Sequence, residues 1–248
     1  PLRKRTVCYR MLENNIVTMS FFKFEGRKKK WRAFQLMGQS PGLLKNISGM
    51  AFGKMLGSGA KNGFSIWPNF SVYGLMNVWE KEADALHYFQ NNDFFHELKN
   101  YSCEHWINYM QTAVVHGEWE GNNPFTPTAE YEMDDVVGVL TRATIKLKYI
   151  PYFWRFVPKV SRSMDGHKEG LIFSVGIGEL PLVQQATFSL WENSHFMKAY
   201  AYKSQYHREV IQKTRELGWY KEELFARFHP YRSEGNWEGK NPIKELIK

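Results

Sequence analysis

The feature that most constrains this chain is an internal repeat. Three pairs of matching segments recur in the same order in its two halves: GMAFGKMLGS (49–58) with GLIFSVGIGE (170–179), NVWEKEADALHYFQNNDFFHELK (77–99) with FSLWENSHFMKAYAYKSQYHREVI (188–211), and EWEGNNPF (118–125) with NWEGKNPI (236–243). Because shared order and similar spacing rarely arise by chance, we interpret the chain as a tandem duplication of one structural unit.

Each copy predicts the element order β-α-β-β-α-β. The runs IVTMSFFKF and GVLTRATIKLK are rich in β-branched and aromatic residues, which is typical of strands. Helical spacing follows over 28–46 and about 150–163, then two strands, then a long amphipathic helix that Asn193 and Ser194 cap in the second copy. This is the split ferredoxin-like unit. We therefore expect an α+β fold, in which tandem ferredoxin-like repeats form a barrel of the dimeric-α+β-barrel type.

The unit boundaries follow from the same repeat. We expect the first ferredoxin-like unit over 15–125 and the second over 137–243, joined by the polar, proline-containing linker 122–136. A chain of 248 residues is long enough for two such units to bury a substantial core.

Composition narrows the function classes. Two cysteines, Cys8 and Cys103, favour a reduced, intracellular protein, and no apolar run approaches transmembrane length. The start PLRKRTVCYRMLENN lacks the apolar stretch of a signal peptide, and a native start at Met11 is left open. The net charge of +8 fits a solvated basic surface, an anionic membrane or an acidic redox partner. Nucleic acid is not expected, because no recognition motif is present.

Hydrolase, nucleotide and zinc chemistry also lose support, because the chain has no GxSxG, Walker, HExxH or CxxC motif.

A comparison of the two copies divides the histidines into those that both copies share and those that only one copy has. His96 and His207 occupy matching positions, so a packing role shared by both copies explains them. His167, in SMDGHKEG, matches Asn46 instead. A single neutral imidazole in a turn suits an iron porphyrin, although an exposed turn histidine explains the residue equally.

Four further segments resemble the spheroidene monooxygenase family, the acyclic carotenoid 2-ketolases: GFSIWPNFSVYGLMNVW, VLTRATIK, FSVGIGELPLVQQATFSLW and ELGWYKEELFARF. Several independent motifs occur in the same order, and the resemblance spans residues 15–230. The similarity is specific for the family rather than for the substrate.

The resemblance implies an enzyme, a haem b (iron protoporphyrin IX) monooxygenase that receives electrons from ferredoxin. It would hydroxylate an acyclic carotenoid, or another long apolar substrate, twice near its end, and the gem-diol would lose water to leave a ketone. Two alternatives stay open. One is haem chemistry without an external electron donor, as in aldoxime dehydratases, and the other is a cofactor-free barrel that binds a small ligand.

The resemblance and a fold analogy also imply roles for individual residues. Haem-binding α+β barrels such as chlorite dismutases are similar in placing the proximal histidine after the first helix of the second unit, where this chain has His167. The expected site consists of His167 as iron ligand with His207 as second choice, Gln184 and Gln185 on the distal side, and Arg142, Arg155 and Arg162 at the haem propionates. Solvated surface arginines remain the alternative for the last three, and a homodimer is left open.

The segment LKYIPYFWRFVPKV (147–160) combines aromatic residues with Lys148, Arg155 and Lys159. Such a composition predicts contact with the lipid headgroups, so we expect a cytoplasmic protein that binds peripherally to the inner membrane face. The alternative is that these aromatics pack the helix onto its sheet. Trp31, at the position matching Trp154, favours that alternative.

Overall fold

Eight antiparallel strands close into a barrel in the computed structural model, which describes residues 15–60, 65, 67–130, 133–155, 169–180, 182–203 and 217–247. The strands are β1 (Ile16–Lys23), β2 (Met50–Gly59), β3 (Pro68–Trp79), β4 (Glu104–Gly117), β5 (Val137–Ile145), β6 (Leu171–Gly178), β7 (Gln184–Trp191) and β8 (Tyr220–Gly235). The helices are α1 (Arg27–Leu43), α2 (Glu82–Asn91), α3 (Asp93–Tyr101), α4 (described over 150–155, after a 3₁₀ turn at Leu147–Tyr149) and α5 (Ser194–Lys203).

The strand order preserves the repeat. Around the barrel the order is β1-β3-β2-β6-β7-β5-β8-β4, so each half contributes four neighbouring strands in the ferredoxin-like arrangement. The halves join where β2 pairs with β6 and where β4 pairs with β8. The predicted fold class is therefore confirmed.

Local details depart from the sequence prediction in the first half. The single helix expected after Trp79 is two helices, because Asn92 leaves the helical conformation and its side chain accepts a hydrogen bond from the Phe95 N–H at 3.1 Å. The predicted cap in the second half is confirmed at Asn193, whose Oδ1 accepts from the N–H groups of His195 and Phe196. Ser194 is the first residue of α5 rather than part of its cap.

The barrel interior is filled by aromatic rings from both halves. Phe173 packs against Phe21 and Trp106, with ring centroids 4.8 and 5.1 Å apart, and Phe188 and Trp237 complete the cluster. Small barrels are commonly closed by side chains in this way. A long ligand therefore finds no path along the barrel axis.

Two tight turns close the barrel ends. Glu120 and Gly121 have consecutive positive φ angles of 57° and 75°, as do Glu238 and Gly239 at 54° and 81°, which is the geometry of a type I′ turn. Each turn reaches the opposite half: the Gly121 N–H donates to Glu222 Oε2 at 2.9 Å, and the Gly239 N–H donates to Glu104 Oε1 at 2.8 Å. We call these two segments, 118–125 and 236–243, the crossed tails.

Candidate functional site

The candidate site is the outer face of the second half's sheet. Cross-strand pairs place Ala143 beside Gln185, and Thr187 beside both Thr141 and Gly176. Since side chains alternate along a strand, these residues lie on the same side as Val139 and Trp191, which pack against Met197 of α5. We call this surface the second outer face. It includes the large side chains of Phe225 and Trp191, and its small or polar residues are Thr141, Ala143, Ser174, Gly176, Gln185 and Thr187.

Four positions on the matching face of the first half carry larger side chains, whereas Ile107, at the position of Phe225, is smaller. When Trp79 is matched to Trp191, the register gives four replacements: Phe22 by Ala143, Met55 by Gly176, Tyr73 by Gln185, and Leu75 by Thr187. The first-half residues are buried in a cluster formed with the helices α1, α2 and α3. The fold thus tolerates bulk at these positions, and the second half has lost it. A face of this kind can be approached closely by a flat apolar group.

Two polar groups mark the same face. Ser174 lies in register with Ser189, and its hydroxyl oxygen is buried without a hydrogen-bond partner in the part of the chain that the structure describes. Leaving such a group unpaired costs free energy, so it favours a partner. Arg227 lies in register with Val139, where the first half has Tyr109, and its guanidinium lies 5.4 Å from the centre of the Phe225 ring.

The predicted histidine ligands cannot be placed. His167, His207 and Arg162 lie outside the described residues. Asn46, the counterpart of His167, has φ 61°, in the left-handed region that Asn and His adopt more readily than most residues. Gly170 has φ 68°, and a Cβ at this position would overlap the Phe196 side chain, so the packing of α5 requires glycine here.

The two predicted distal glutamines lie on opposite faces of β7. Gln185 belongs to the second outer face, paired with Ala143. Gln184 lies toward the barrel mouth, where it lines a cavity of about 450 Å³ with Arg142 and Glu222. Because successive strand residues point to opposite sides, one bound ligand meets only one of them. Gln185 is the one that shares a face with Ser174.

Arg142 lies inside the barrel mouth. It is 3% exposed, forms ion pairs with Glu222 and, at 3.3 Å, Glu179, and its guanidinium lies 5.1 Å from the centre of the Trp119 ring. Its charge is therefore already met by two carboxylates, on the side of the sheet away from the second outer face. Arg155 is exposed at the end of the described part of α4. Their assignment to propionates stays a prediction.

Glu222 has a lowered pKa. Burial alone would raise the pKa of this carboxyl, but the N–H groups of Gly121 and Glu120 together with Arg142 outweigh burial and hold it below the ordinary value of 4.5. Glu104, at the matching position in the first half, has a lowered pKa too, with burial again opposed by the Gly239 N–H.

Acidification is expected to remove this contribution to stability. A depressed folded-state pKa stabilises fully above the ordinary glutamate pKa and is lost as pH falls through the folded value. The free energies of unfolding of wild type and Glu222→Gln, measured in denaturant from neutral pH downward, should therefore converge in acid. The exposed neighbour Glu223, changed to Gln, should leave the profile unchanged. A wild-type to Glu222→Gln difference that stays constant with pH would contradict the expectation.

Comparison with known proteins decides the family. The spheroidene monooxygenase of Rhodobacter capsulatus is 36% identical over 234 residues, covering 94% of this chain and 97% of that protein. The Cereibacter sphaeroides enzyme of the same name is 34% identical, covering 93% of this chain and 71% of its own. The chain belongs to the spheroidene monooxygenase family. The predicted resemblance is thereby confirmed, and the chain falls in a family of oxidoreductases of the monooxygenase class.

Solved structures confirm the architecture of this spheroidene monooxygenase family member. A crystal structure of aldoxime dehydratase aligns with a TM-score of 0.63 at 11% identity, covering 95% of this chain and 87% of that one. An aldoxime dehydratase with bound butyraldoxime gives 0.60 at 9% identity. Identities this low show a shared fold alone. The chain matches no protein-family profile.

Within the described ranges, no helix is long and apolar enough to cross a bilayer. The same residues contain no cluster of three or more His, Cys, Asp or Glu side chains arranged to hold a metal ion. Sequence reasoning missed Ser174, Gly176 and Arg227. Extending the comparison of the two copies from histidines to every strand position would have found them.

Proposed function

We propose that this family member is a haem-dependent monooxygenase that binds its haem against the second outer face. It oxidises an acyclic carotenoid or a similarly long apolar molecule with electrons from a ferredoxin. The observation that carries the proposal is the loss of bulk at four matched positions of one outer face, from Phe22, Met55, Tyr73 and Leu75 to Ala143, Gly176, Gln185 and Thr187. The names of the relatives support the carotenoid substrate.

The residues present fit a flat ring. Gly176 has no side chain and Ala143 only a methyl group, so at these two buried positions the sheet presents little beyond its backbone to whatever packs on it. The unpartnered Ser174 hydroxyl supplies a hydrogen-bonding group at the same place.

Individual residues then take separate roles. The His167 imidazole would hold the iron, a role that a single neutral histidine fills in many haem proteins. Arg227 is a cation of this face, and it would meet a propionate carboxylate by a charge-assisted bond. The side-chain amide of Gln185 would donate a hydrogen bond from the sheet to the bound ligand. Haem, when bound, would supply the activation of dioxygen. The chain's own residues would bind and orient the haem and the substrate, and they would exclude water from the site.

The substrate must lie outside the barrel lumen. Phe21, Trp106 and Phe173 fill the interior, so a polyene cannot thread through it. A long apolar molecule would lie instead on the sheet surface beside the haem.

The absorbance spectrum of the purified protein, followed by haem titration, tests the proposal. We expect a Soret band that saturates at one haem per chain, and turnover of a carotenoid that stops when ferredoxin or reductant is omitted. Turnover of an aldoxime without any donor would indicate the dehydratase alternative. A chain that binds no haem would indicate a cofactor-free ligand-binding barrel.

His167→Ala is expected to lose most of the bound haem and to stay folded, because Asn46 shows that the corresponding turn accepts a different polar residue. The measurements are the Soret intensity and the ferrous-CO spectrum, with circular dichroism for the fold. His207→Ala is the matched control, expected to lower stability by about 1–2 kcal/mol with haem nearly unchanged. Full haem in the His167 variant and loss in the His207 variant would reverse the assignment.

A further inference from the structure

The first half carries an exposed aromatic surface that no part of the proposed site uses. Trp31 and Phe34 on α1 are 60% and 46% exposed, and Trp67 and Phe70 near the start of β3 are 71% and 46% exposed. The ring centroid of Phe34 lies 5.6 Å from those of both Trp31 and Phe70, so these three side chains form one patch, and Trp67 lies three residues before Phe70 in the chain. We call Trp31, Phe34, Trp67 and Phe70 the aromatic surface. Contiguous exposed aromatics of this kind commonly mark an interaction site.

The helix geometry shows that these rings do not serve the core. Arg27, Trp31 and Phe34 follow one another at spacings that place them on a single face of α1. The opposite face, with Ala33, Leu36 and Ser40, is the buried one. The sequence predicted that Trp31 packs its helix onto the sheet. This prediction is wrong, because the Trp31 side chain points away from the sheet.

Basic residues flank the aromatic surface. Arg27, Lys28 and Lys29 at the start of α1 are exposed, and Lys30 is half-buried. No described acidic side chain forms an ion pair with any of the four, whereas Arg32 further along the helix is bonded to Glu97 at 2.7 Å. The surface therefore combines protruding aromatic rings with positive charge that is paired with no described carboxylate.

We propose that the aromatic surface and the adjoining basic run dock this protein onto an anionic lipid bilayer. Indole and phenyl rings partition into the headgroup boundary, and lysine and arginine beside them are attracted to anionic lipid. An acidic protein would satisfy the cations as well, but protruding aromatic rings beside lysine and arginine are the composition typical of the lipid headgroup boundary. The docking proposal depends on the proposed function in one respect: the function explains why the protein would bind a membrane, which is to reach an apolar substrate dissolved there.

The segment at 147–155 is the competing surface, because it was predicted from sequence to contact lipid. Its aromatic residues are mostly engaged: Phe153 packs against Trp219 and Tyr220 at 6.3 Å, and the Trp154 indole N–H donates to the Leu182 carbonyl at 3.1 Å. Tyr152 is the exposed ring, beside a lysine that lies over Tyr149. Lys159 lies outside the described residues. This segment therefore serves as the matched control.

Cosedimentation with vesicles tests the docking. The vesicles contain equal parts phosphatidylcholine and phosphatidylglycerol, with phosphatidylcholine alone as the uncharged reference. We expect the bound fraction to fall about fivefold or more in Trp31→Ser/Phe34→Ser and in Lys28→Glu/Lys29→Glu. The control Tyr152→Ser/Lys148→Glu should bind like wild type. Thermal unfolding should be unchanged in all three, since every altered side chain is exposed or at a helix end.

Each other outcome overturns the proposal. A loss confined to the control pair would place docking at 147–155. Unchanged sedimentation of all variants would mean that neither surface binds lipid. If the lysine pair loses ferredoxin-dependent turnover while the aromatic pair sediments normally, the basic run binds an acidic protein instead. Vesicle binding is measured without haem or substrate, so it succeeds or fails independently of the proposed chemistry.

Discussion

Gly176→Met is expected to abolish haem binding while the barrel stays folded. The change restores on the second outer face the side chain that Met55 places on the first, and a methionine there would occupy the space against which the ring would lie. The measurement is haem stoichiometry from the Soret band after reconstitution. We expect less than about a tenth of the wild-type value, because close-packed sites do not absorb four extra heavy atoms without displacing the ligand.

The first half provides the matched control. Met55→Gly removes the equivalent side chain from a buried cluster and should lower the free energy of unfolding by about 2–5 kcal/mol through the cavity it leaves. Haem stoichiometry should not change. A folded Gly176→Met protein that binds haem as wild type does would remove the second outer face as the cofactor site, whatever the reaction proves to be.

Arg142→Leu is expected to destabilise the protein by about 3–5 kcal/mol, since it leaves the carboxylates of Glu179 and Glu222 without the cation buried between them. Urea unfolding measures the change. Lys54→Met is the control, because Lys54 pairs with Glu120 and Glu179 from a more exposed position and should contribute less than about 1 kcal/mol.

The Arg142 variant also distinguishes two roles. If the guanidinium is structural, haem affinity in the folded variant should match the wild type. If it binds a propionate as the sequence suggested, haem affinity should fall with little loss of stability. The free energy of unfolding and the haem affinity of the variant, measured together, therefore show which of the two roles Arg142 has.

The repeat made the fold predictable from sequence, because it supplied two independent readings of the same element order. Strand alternation and the position of the Asn193 cap followed from local patterns. The break between α2 and α3 did not, since Asn92 lies within an otherwise amphipathic run and only its side-chain bond reveals the new helix start. Capping is a choice between competing local hydrogen bonds that composition does not settle.

The candidate site was harder to predict from the sequence than the fold, for a physical reason. Gln184 and Gln185 differ by one position, and a single-residue difference changes the face of a strand that a side chain occupies. Arg142 stands where the first half has the core residue Phe21, and it is buried, whereas the sequence predicted a haem propionate partner or a solvated surface arginine. Its partners Glu179 and Glu222 are distant in sequence, so the neutralisation of its charge emerges only when the barrel closes.

The crossed tails have a consequence for how the two halves hold together. Each half ends in a turn whose glycine N–H donates a hydrogen bond to a glutamate of the other half. The indole side chains of Trp119 and Trp237 lie in the shared interior. Neither half completes its own barrel end, so loss of one exposes the interior of the other. We therefore expect the two halves of the duplicated chain to unfold together as one cooperative unit.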